Sequence, residues 1–171
     1  MAEISNPLYK YFRQPSFYVT LPSRSPYPPH VIQSSQSGEI GVQPMTAKDE
    51  IRFKTPDALM NGEGVVEVIQ SCVPQIKDAW QIRSYDLDTL LIAIRIATYG
   101  ETMDFTFTVP GANEQVTHSQ NLPSLLDAIK GTEIQDEFVL EDGLKFSVRP
   151  LTYKDMTTAS QQTFQQQEQT L

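Results

Sequence analysis

Alternating apolar and polar positions predict most of the strands in this chain. The clearest alternation places Phe105 and Phe107 between threonines, and a Pro-Gly turn then leads into a shorter partner segment. Near the C-terminal end, Glu-Asp-Gly at residues 141–143 separates two apolar segments, which is a hairpin signal. The predicted strands are residues 16–21, 39–43, 103–109, 115–118, 138–140 and 144–148.

Residues 87–99 are apolar on almost every side, which is typical of a helix that is buried all round. We expect this segment to be the central helix of the core, capped at its N-terminus by Asp86 and stopped by Gly100. Other helices are predicted from apolar residues three or four positions apart, or from a capping residue. They begin at Thr46, Thr55 and Thr152, extend from Val65 to Cys72, and cover residues 122–130.

The N-terminal part differs in composition from the rest of the chain. Seven of the twelve prolines fall within the first 44 residues, a density that favours extended backbone over helix. Aromatic side chains accompany these prolines, whereas disordered segments are usually poor in them. Such an arm either wraps its own domain or lies on a neighbouring subunit, and the sequence leaves both interpretations open.

These patterns together predict an α+β fold in which small antiparallel hairpins pack around the buried central helix. We divide the chain into three parts. Residues 1–37 form the extended proline-rich and aromatic-rich arm with a first strand, residues 38–151 form the core domain, and residues 152–171 form a C-terminal amphipathic helix rich in glutamine.

One motif occurs twice: VQPMTAKD at residues 42–49 aligns with VRPLTYKD at residues 148–155. Proline ends strand pairing because it has no N–H to donate, and the threonine and aspartate then cap a helix. If a hairpin precedes each copy, the repeated unit is strand–strand–helix. Coincidence between two good capping sequences is the alternative explanation. The predicted capping residues are Pro44, Thr46 and Asp49, then Pro150, Thr152 and Asp155.

Composition argues against several classes of function. The net charge is -8 and the isoelectric point is about 4.7, so the clustered basic residues that nucleic acids and anionic membranes attract are missing. Cys72 is the single cysteine and no His stands near it in the sequence, which disfavours a Cys–His catalytic site and a zinc site. We expect no enzyme activity, no cofactor and no metal.

We expect neither a signal peptide nor a membrane span in this sequence. Its first residues have neither the basic start nor the apolar run of a signal peptide, and the longest apolar run, residues 90–94, is too short to span a bilayer. We therefore expect synthesis inside the cell as a soluble protein.

The C-terminal segment suggests contact with another molecule. Residues 160–171 contain six glutamines and few large apolar side chains, and the helix ends without a capping residue. Either the natural chain continues or this end docks on a partner. The candidate interface residues in the arm and in this helix are Tyr9, Tyr11, Phe12, Tyr27, Met156, Phe164 and Leu171.

Several segments taken in order give the chain a family resemblance. They are FYVTLPSR at 17–24, VQPMTAKDE at 42–50, PDALMNG at 56–62, IQSCV at 69–73, residues 88–100 and the second motif at 148–155. The sequence resembles the baseplate hub subunits of contractile-tailed bacteriophages of the T-even type. Some of those proteins carry a cysteine pair just after the strand that follows the central helix. Residues 109–112, VPGA, stand in that place here, so no metal site is carried over.

The resemblance implies a virion protein at the centre of the tail tip, made in the host cytoplasm, that contacts other hub proteins, the tail tube or the tape measure protein. Three hypotheses remain. The chain is a structural subunit that stays in the baseplate, an assembly chaperone for the hub or tape measure that then leaves, or a cell-wall hydrolase, which needs an acid pair or a metal in a cleft.

Overall fold

The computed structural model describes residues 12–23, 26–33, 37–109, 111, 114–131 and 135–168. Within them the chain has the predicted α+β fold, with three two-stranded antiparallel sheets and six α-helices. The strands are β1 (Phe17–Val19), β2 (Ile40–Val42), β3 (Thr102–Thr108), β4 (Gln115–Asn121), β5 (Glu137–Val139) and β6 (Lys145–Ser147). The helices are α1 (Ala47–Phe53), α2 (Pro56–Met60), α3 (Glu63–Cys72), α4 (Ser84–Tyr99), α5 (Leu122–Lys130) and α6 (Tyr153–Glu168).

The core forms where α4 crosses the β1–β2 sheet and α3 packs beside it. As predicted, α4 is the central helix, and Asp88 and Tyr99 are its two exposed positions. Burial of large aliphatic side chains supplies most of the stabilising free energy of such a core. The largest buried side chains are Ile69, Ile76, Ile82, Leu90, Val19, Val31 and Val42.

The start of α4 differs from the prediction. The helix begins at Ser84, with Arg83 at the N-cap position and no side-chain cap, so the prediction that Asp86 caps it is wrong. Asp86 lies in the first turn and is completely buried. Its carboxylate accepts hydrogen bonds from the Tyr27 hydroxyl at 2.5 Å and from the Ser23 N–H at 2.9 Å. The carboxylate therefore ties the N-terminal segment to the core.

The described part of the N-terminal arm packs on its own domain. Val31 and Ile32 are buried, and the Val31 carbonyl accepts a hydrogen bond from the Lys77 N–H at 2.8 Å. The Ser16 hydroxyl donates to the Ala97 carbonyl at 3.2 Å, which fixes the start of the first strand against α4. Of the two interpretations of the arm, these residues therefore follow the one in which it wraps its own chain.

The N-terminal part of α6 is anchored to the domain. The Tyr153 N–H donates to the Ile82 carbonyl at 2.8 Å, and the Tyr153 ring stacks on Trp80 with the ring centroids 5.5 Å apart. A Cβ atom at Gly62, which has a φ of +81°, would lie 3.0 Å from the Thr157 side chain. Glycine at this hinge between α2 and α3 thus permits both the left-handed backbone and the close approach of α6.

Strand β4 is longer than predicted. It continues to Asn121, whose side chain then caps α5 by accepting a hydrogen bond from the Ser124 N–H at 2.9 Å. The polar end of β4 carries no apolar alternation, so the sequence pattern underestimates its length. Pairing with the start of β3, Asn121 opposite Thr102, extends it instead.

Candidate interaction surface

The β3–β4 hairpin has one apolar face and one polar face. Because side chains alternate along each strand, every second residue points to the same side. Phe105 lies directly opposite His118, and the centroids of their rings are 5.1 Å apart. On the reverse face, the hydroxyls of Thr106 and Thr117 lie 3.0 Å apart. The side chains of the apolar face are Met103, Phe105, Phe107, Val116 and His118, with Gln120 opposite Met103 at its end.

The β5–β6 hairpin has the same two-faced character. Phe138 and Phe146 stack across the strands with their ring centroids 5.3 Å apart. The pairing continues to the turn, where the Leu140 N–H donates to the Leu144 carbonyl at 2.9 Å and Gly143 adopts a φ of +82°. The apolar face consists of Phe138, Leu140, Leu144, Phe146 and Val148, and the reverse face of Glu137, Val139, Lys145 and Ser147.

The apolar faces of both hairpins are open to solvent. Their aliphatic and aromatic side chains are between 36% and 59% exposed. A two-stranded hairpin alone is marginally stable in water, and contiguous exposed apolar patches on a folded protein mark interaction sites. The two hairpin faces are therefore the strongest candidates for an interface among the described residues.

Helix α6 offers a third exposed surface. Beyond Thr157, every described side chain up to Gln167 is exposed. Residues 156–167 carry no charge, so helix-stabilising ion pairs three or four positions apart are not available to this stretch. A solvated helix of this composition gains little stabilising free energy from packing on its own domain. This is expected for a segment that packs on a partner.

The interface residues predicted from the sequence differ in their exposure to solvent. Phe12, Met156 and Phe164 are exposed, as an interface requires. Tyr27 instead packs against the core, where its hydroxyl binds Asp86 and accepts a hydrogen bond from the Arg83 N–H at 2.9 Å. Burial and the bond to Asp86 raise the pKa of Tyr27, so the hydroxyl stays protonated. Three further predicted residues lie outside the described residues: Tyr9, Tyr11 and Leu171.

The sequence patterns alone do not identify the hairpin faces as interface candidates. Alternation in the sequence predicts both strand pairs and shows which side of each is apolar. Period-two alternation indicates only that one face of a strand is apolar. The sequence pattern is therefore the same whether side chains such as Phe105 and Phe146 are buried or half-exposed, as they are here. The exposure becomes visible once the structure shows that no described element lies over these faces.

Both copies of the repeated motif form the same cap. At the start of α1, the Thr46 N–H donates to Asp49 Oδ2 at 2.8 Å and the Asp49 N–H donates to Thr46 Oγ1 at 3.3 Å. At the start of α6, the corresponding distances between Thr152 and Asp155 are 3.0 and 3.2 Å. These reciprocal bonds satisfy N–H groups that an uncapped helix leaves unpaired.

Each capping aspartate also faces an arginine, and each motif proline precedes its cap by two residues. Arg13 approaches Asp49 Oδ2 to 3.4 Å, and Arg149 approaches Asp155 Oδ2 to 3.2 Å. Arg13 also donates to the carbonyl of Pro44, whereas the carbonyl of Leu151, directly after Pro150, accepts a hydrogen bond from the Ser84 N–H at 2.8 Å. The two caps therefore share their chemistry but have different surroundings.

Cys72 is buried, and burial raises the pKa of its thiol to about 11, which keeps it protonated near neutral pH. Among the described residues, no group of three or more His, Cys, Asp or Glu side chains is placed to hold a metal ion. No helix in the described ranges is both long enough and apolar enough to cross a membrane.

Comparison with known protein families identifies the chain. A family model described as T4 bacteriophage base plate protein matches residues 28–171, which is most of the chain. The chain belongs to this baseplate family. Comparisons with curated proteins and with solved structures find no match. Family membership gives the baseplate protein a structural role in the phage tail, places it in the virion at the baseplate, and indicates other baseplate proteins as its partners.

Loss of either cap should destabilise the baseplate protein. Thr46→Ala or Thr152→Ala removes the acceptor for an N–H in the first helical turn, and each is expected to lower the free energy of unfolding by about 1 kcal/mol. Thermal melting followed by circular dichroism measures the effect. Thr158→Ala, in the exposed part of α6, is the matched control and should not destabilise. Unchanged melting in both cap variants would contradict a capping role for the repeat.

The first cap should also make stability depend on pH. Burial alone would raise the pKa of Asp49, but hydrogen bonds from Thr46 and Ser71 and the charge of Arg13 outweigh it and lower the pKa. The stabilisation from Asp49 is then complete above the unfolded-state pKa of about 3.9 and is lost as the pH falls through the lower folded-state value.

Urea titrations across pH test this dependence. Asp49→Asn should be less stable than the original chain at pH 6, and the difference should shrink from pH ~4 downward as the native carboxylate takes up its proton. A difference that stays constant down to pH ~2 would show that Asp49 does not supply this term.

Proposed function

We propose that this baseplate protein is a structural subunit of the baseplate hub that acts through protein–protein contacts and performs no catalysis. The observation that carries the proposal is the pair of hairpins, β3–β4 and β5–β6, whose apolar faces lie open to solvent. Exposing aromatic side chains on folded strands is costly unless a partner covers them. Hub proteins, the tail tube and the tape measure protein are the proposed partners, with synthesis in the host cytoplasm before assembly.

A groove between α1 and α3 supports the non-catalytic part of the proposal. It encloses about 950 Å³ and contains the carboxylates of Asp49 and Glu67. Each carboxylate is already engaged, Asp49 by its cap and Glu67 by an ion pair with Arg52. The hydrogen bond from Arg52 lowers the pKa of Glu67, whereas a general acid for cell-wall hydrolysis needs a raised pKa.

Quantitative mass spectrometry of purified virions tests the structural role against the chaperone alternative. A hub subunit should be present in a fixed ratio to other baseplate proteins, and cryo-electron microscopy of the tail tip should place it at the centre. Absence from mature virions would favour an assembly chaperone. Release of fragments from purified peptidoglycan by the isolated protein would overturn the proposal that it is not an enzyme.

Truncation of the C-terminal helix separates folding from assembly. Because described residues 163–167 are exposed, deleting residues 163–171 should leave the urea unfolding curve of the domain almost unchanged while reducing incorporation into baseplates. Phe164→Ser is the point-variant control, since it removes the largest exposed apolar side chain of this segment and keeps the chain length. A truncated protein that no longer unfolds cooperatively would show that the segment belongs to the core.

A further inference from the structure

The two copies of the motif belong to two copies of a larger unit. In unit 1, β1 and β2 pair antiparallel and lead into α1; in unit 2, β5 and β6 pair antiparallel and lead into α6. The register is also shared. Val148 corresponds to Val42 in the sequence motif. When the two units are aligned at these residues, the cross-strand pair Phe138–Phe146 corresponds to the pair Val19–Ile40.

The corresponding faces differ sharply in burial. In unit 1, Val19, Ile40 and Val42 are between 0% and 6% exposed, because α4 lies across the sheet. In unit 2, Phe138, Phe146 and Val148 are between 36% and 46% exposed. The motif residue after proline follows the same trend: Met45 packs against the core cluster, and Leu151 is exposed.

Unit 1 therefore indicates what unit 2 lacks. The element that covers its sheet is a single helix, α4, which presents aliphatic residues to the strands. No described element takes that position over β5–β6. Unit 2 has the same strand–strand–helix arrangement as unit 1, and the same face of its sheet is apolar. A two-stranded sheet can bury one face against a single helix. The open face of unit 2 is therefore complementary to an aliphatic helix.

The charges around the open face define the partner further. Three acidic residues, Asp136, Glu141 and Asp142, lie at the two ends of the apolar face. Glu137 and Lys145 lie on the reverse face, and Arg149 is paired with Asp155. The whole chain has a net charge of -8, so a second copy would bring like charges together. A basic border on the incoming helix would instead be attracted to this rim.

We propose that the apolar face of β5–β6 binds an amphipathic helix of another baseplate protein, with an aliphatic stripe bordered by Lys and Arg, in the position that α4 occupies in unit 1. This inference rests on the proposed function, since it names the kind of partner that a structural subunit would hold. The contact stacks the partner's aliphatic side chains on Phe138 and Phe146 and places its basic residues beside the acidic rim.

Peptide binding to the full-length chain tests the proposal directly. The probe is a synthetic helix of about 18 residues with leucine at i, i+3, i+4 and i+7 and lysine at the flanking positions, followed by fluorescence anisotropy. Phe138→Ser and Phe146→Ser should each weaken binding by at least about tenfold. Val139→Ser, on the reverse face of the same hairpin, is the matched control and should leave binding within about twofold.

Two further variants keep the test decisive. Phe146→Leu keeps an apolar side chain and should retain binding, which separates loss of contact from local unfolding of the hairpin. A probe with glutamate in place of lysine should bind at least about tenfold more weakly. Equal binding of both probes, equal binding by Phe146→Ser, or self-association of the chain that Phe146→Ser abolishes would overturn the proposal.

Photo-crosslinking in assembled tails identifies the natural occupant. A benzoylphenylalanine at position 146 should crosslink to an aliphatic helix of another protein, and the same group at position 139 should give a different or weaker product. Crosslinks to residues 1–11 of the same chain, to a second copy or to a partner strand would overturn the inference. If the chain is missing from virions, the proposed function fails, while the peptide experiment still decides whether the face binds such a helix.

Discussion

Replacing Leu90 with Ala is expected to lower the free energy of unfolding of this baseplate protein by about 3 to 5 kcal/mol. Leu90 is fully buried at the middle of α4, the helix that crosses the β1–β2 sheet. Removing three carbon atoms there loses their burial and leaves a cavity between close-packed neighbours that relax only in part. Because a domain of this size has a total stability of about 5 to 15 kcal/mol, the variant should lose a large share of it.

Urea unfolding monitored by circular dichroism measures this loss. Asp88→Ala on the exposed side of the same helix is the control, and it should change the free energy by no more than about 0.5 kcal/mol. A Leu90→Ala variant as stable as that control would mean that α4 is not the centre of the core.

Replacing Asp86 with Ala should have the second largest effect, a loss of about 3 kcal/mol. The change leaves the Tyr27 hydroxyl and the Ser23 N–H without their acceptor inside the protein. Both donors are half-buried and face the site of the fully buried carboxylate, so without it they cannot fully regain hydrogen bonds to water while the fold persists. The N-terminal segment should loosen first, since this carboxylate is its main polar attachment to α4.

Hydrogen exchange with mass spectrometry separates local from global effects of this change. Asp86→Ala should speed exchange in residues 16–23 and 26–33 more than in α3. Asp86→Asn keeps one acceptor oxygen and should cost less, and a double-mutant cycle with Tyr27→Phe should give a clear coupling energy. Additive effects of Asp86→Ala and Tyr27→Phe would contradict the direct bond.

Asp86 shows how a tertiary contact overrides a local sequence signal. An aspartate just before an apolar run predicts an N-cap, since most such residues are solvated and free to bond the first turn. Here the segment around Tyr27 returns to this carboxylate from 59 positions away in the sequence. A contact of that separation leaves no local signal, so the tertiary arrangement overrides the local preference.

The caps at Thr46 and Thr152 show the opposite case. Both bonds join residues three positions apart, so the residue types alone specify them. The same holds for helix α5, whose predicted bounds agree with the structure because its cap and its apolar face are both local. Contacts between residues within one helical turn of each other are therefore predictable from the sequence.

Whether an apolar face is exposed depends on distant segments, as the hydrogen bond at Asp86 does. The sequence makes unit 1 and unit 2 look alike, and their strands do pair in the same register. Val42 is buried because α4 lies over its sheet, whereas nothing described covers Val148. Residues outside each unit decide which apolar face becomes core and which is left for a partner.

The sequence by itself determined the α+β class, the order of the elements, the central helix and both capped entries into helices. These depend on the periodicity of apolar residues and on short-range hydrogen bonds, which are properties of neighbouring positions. The tertiary structure alone decided that Asp86 anchors the N-terminal segment and that the β5–β6 face stays open. Both depend on which distant segments meet, and the free energy of burying one surface against another is set by that meeting.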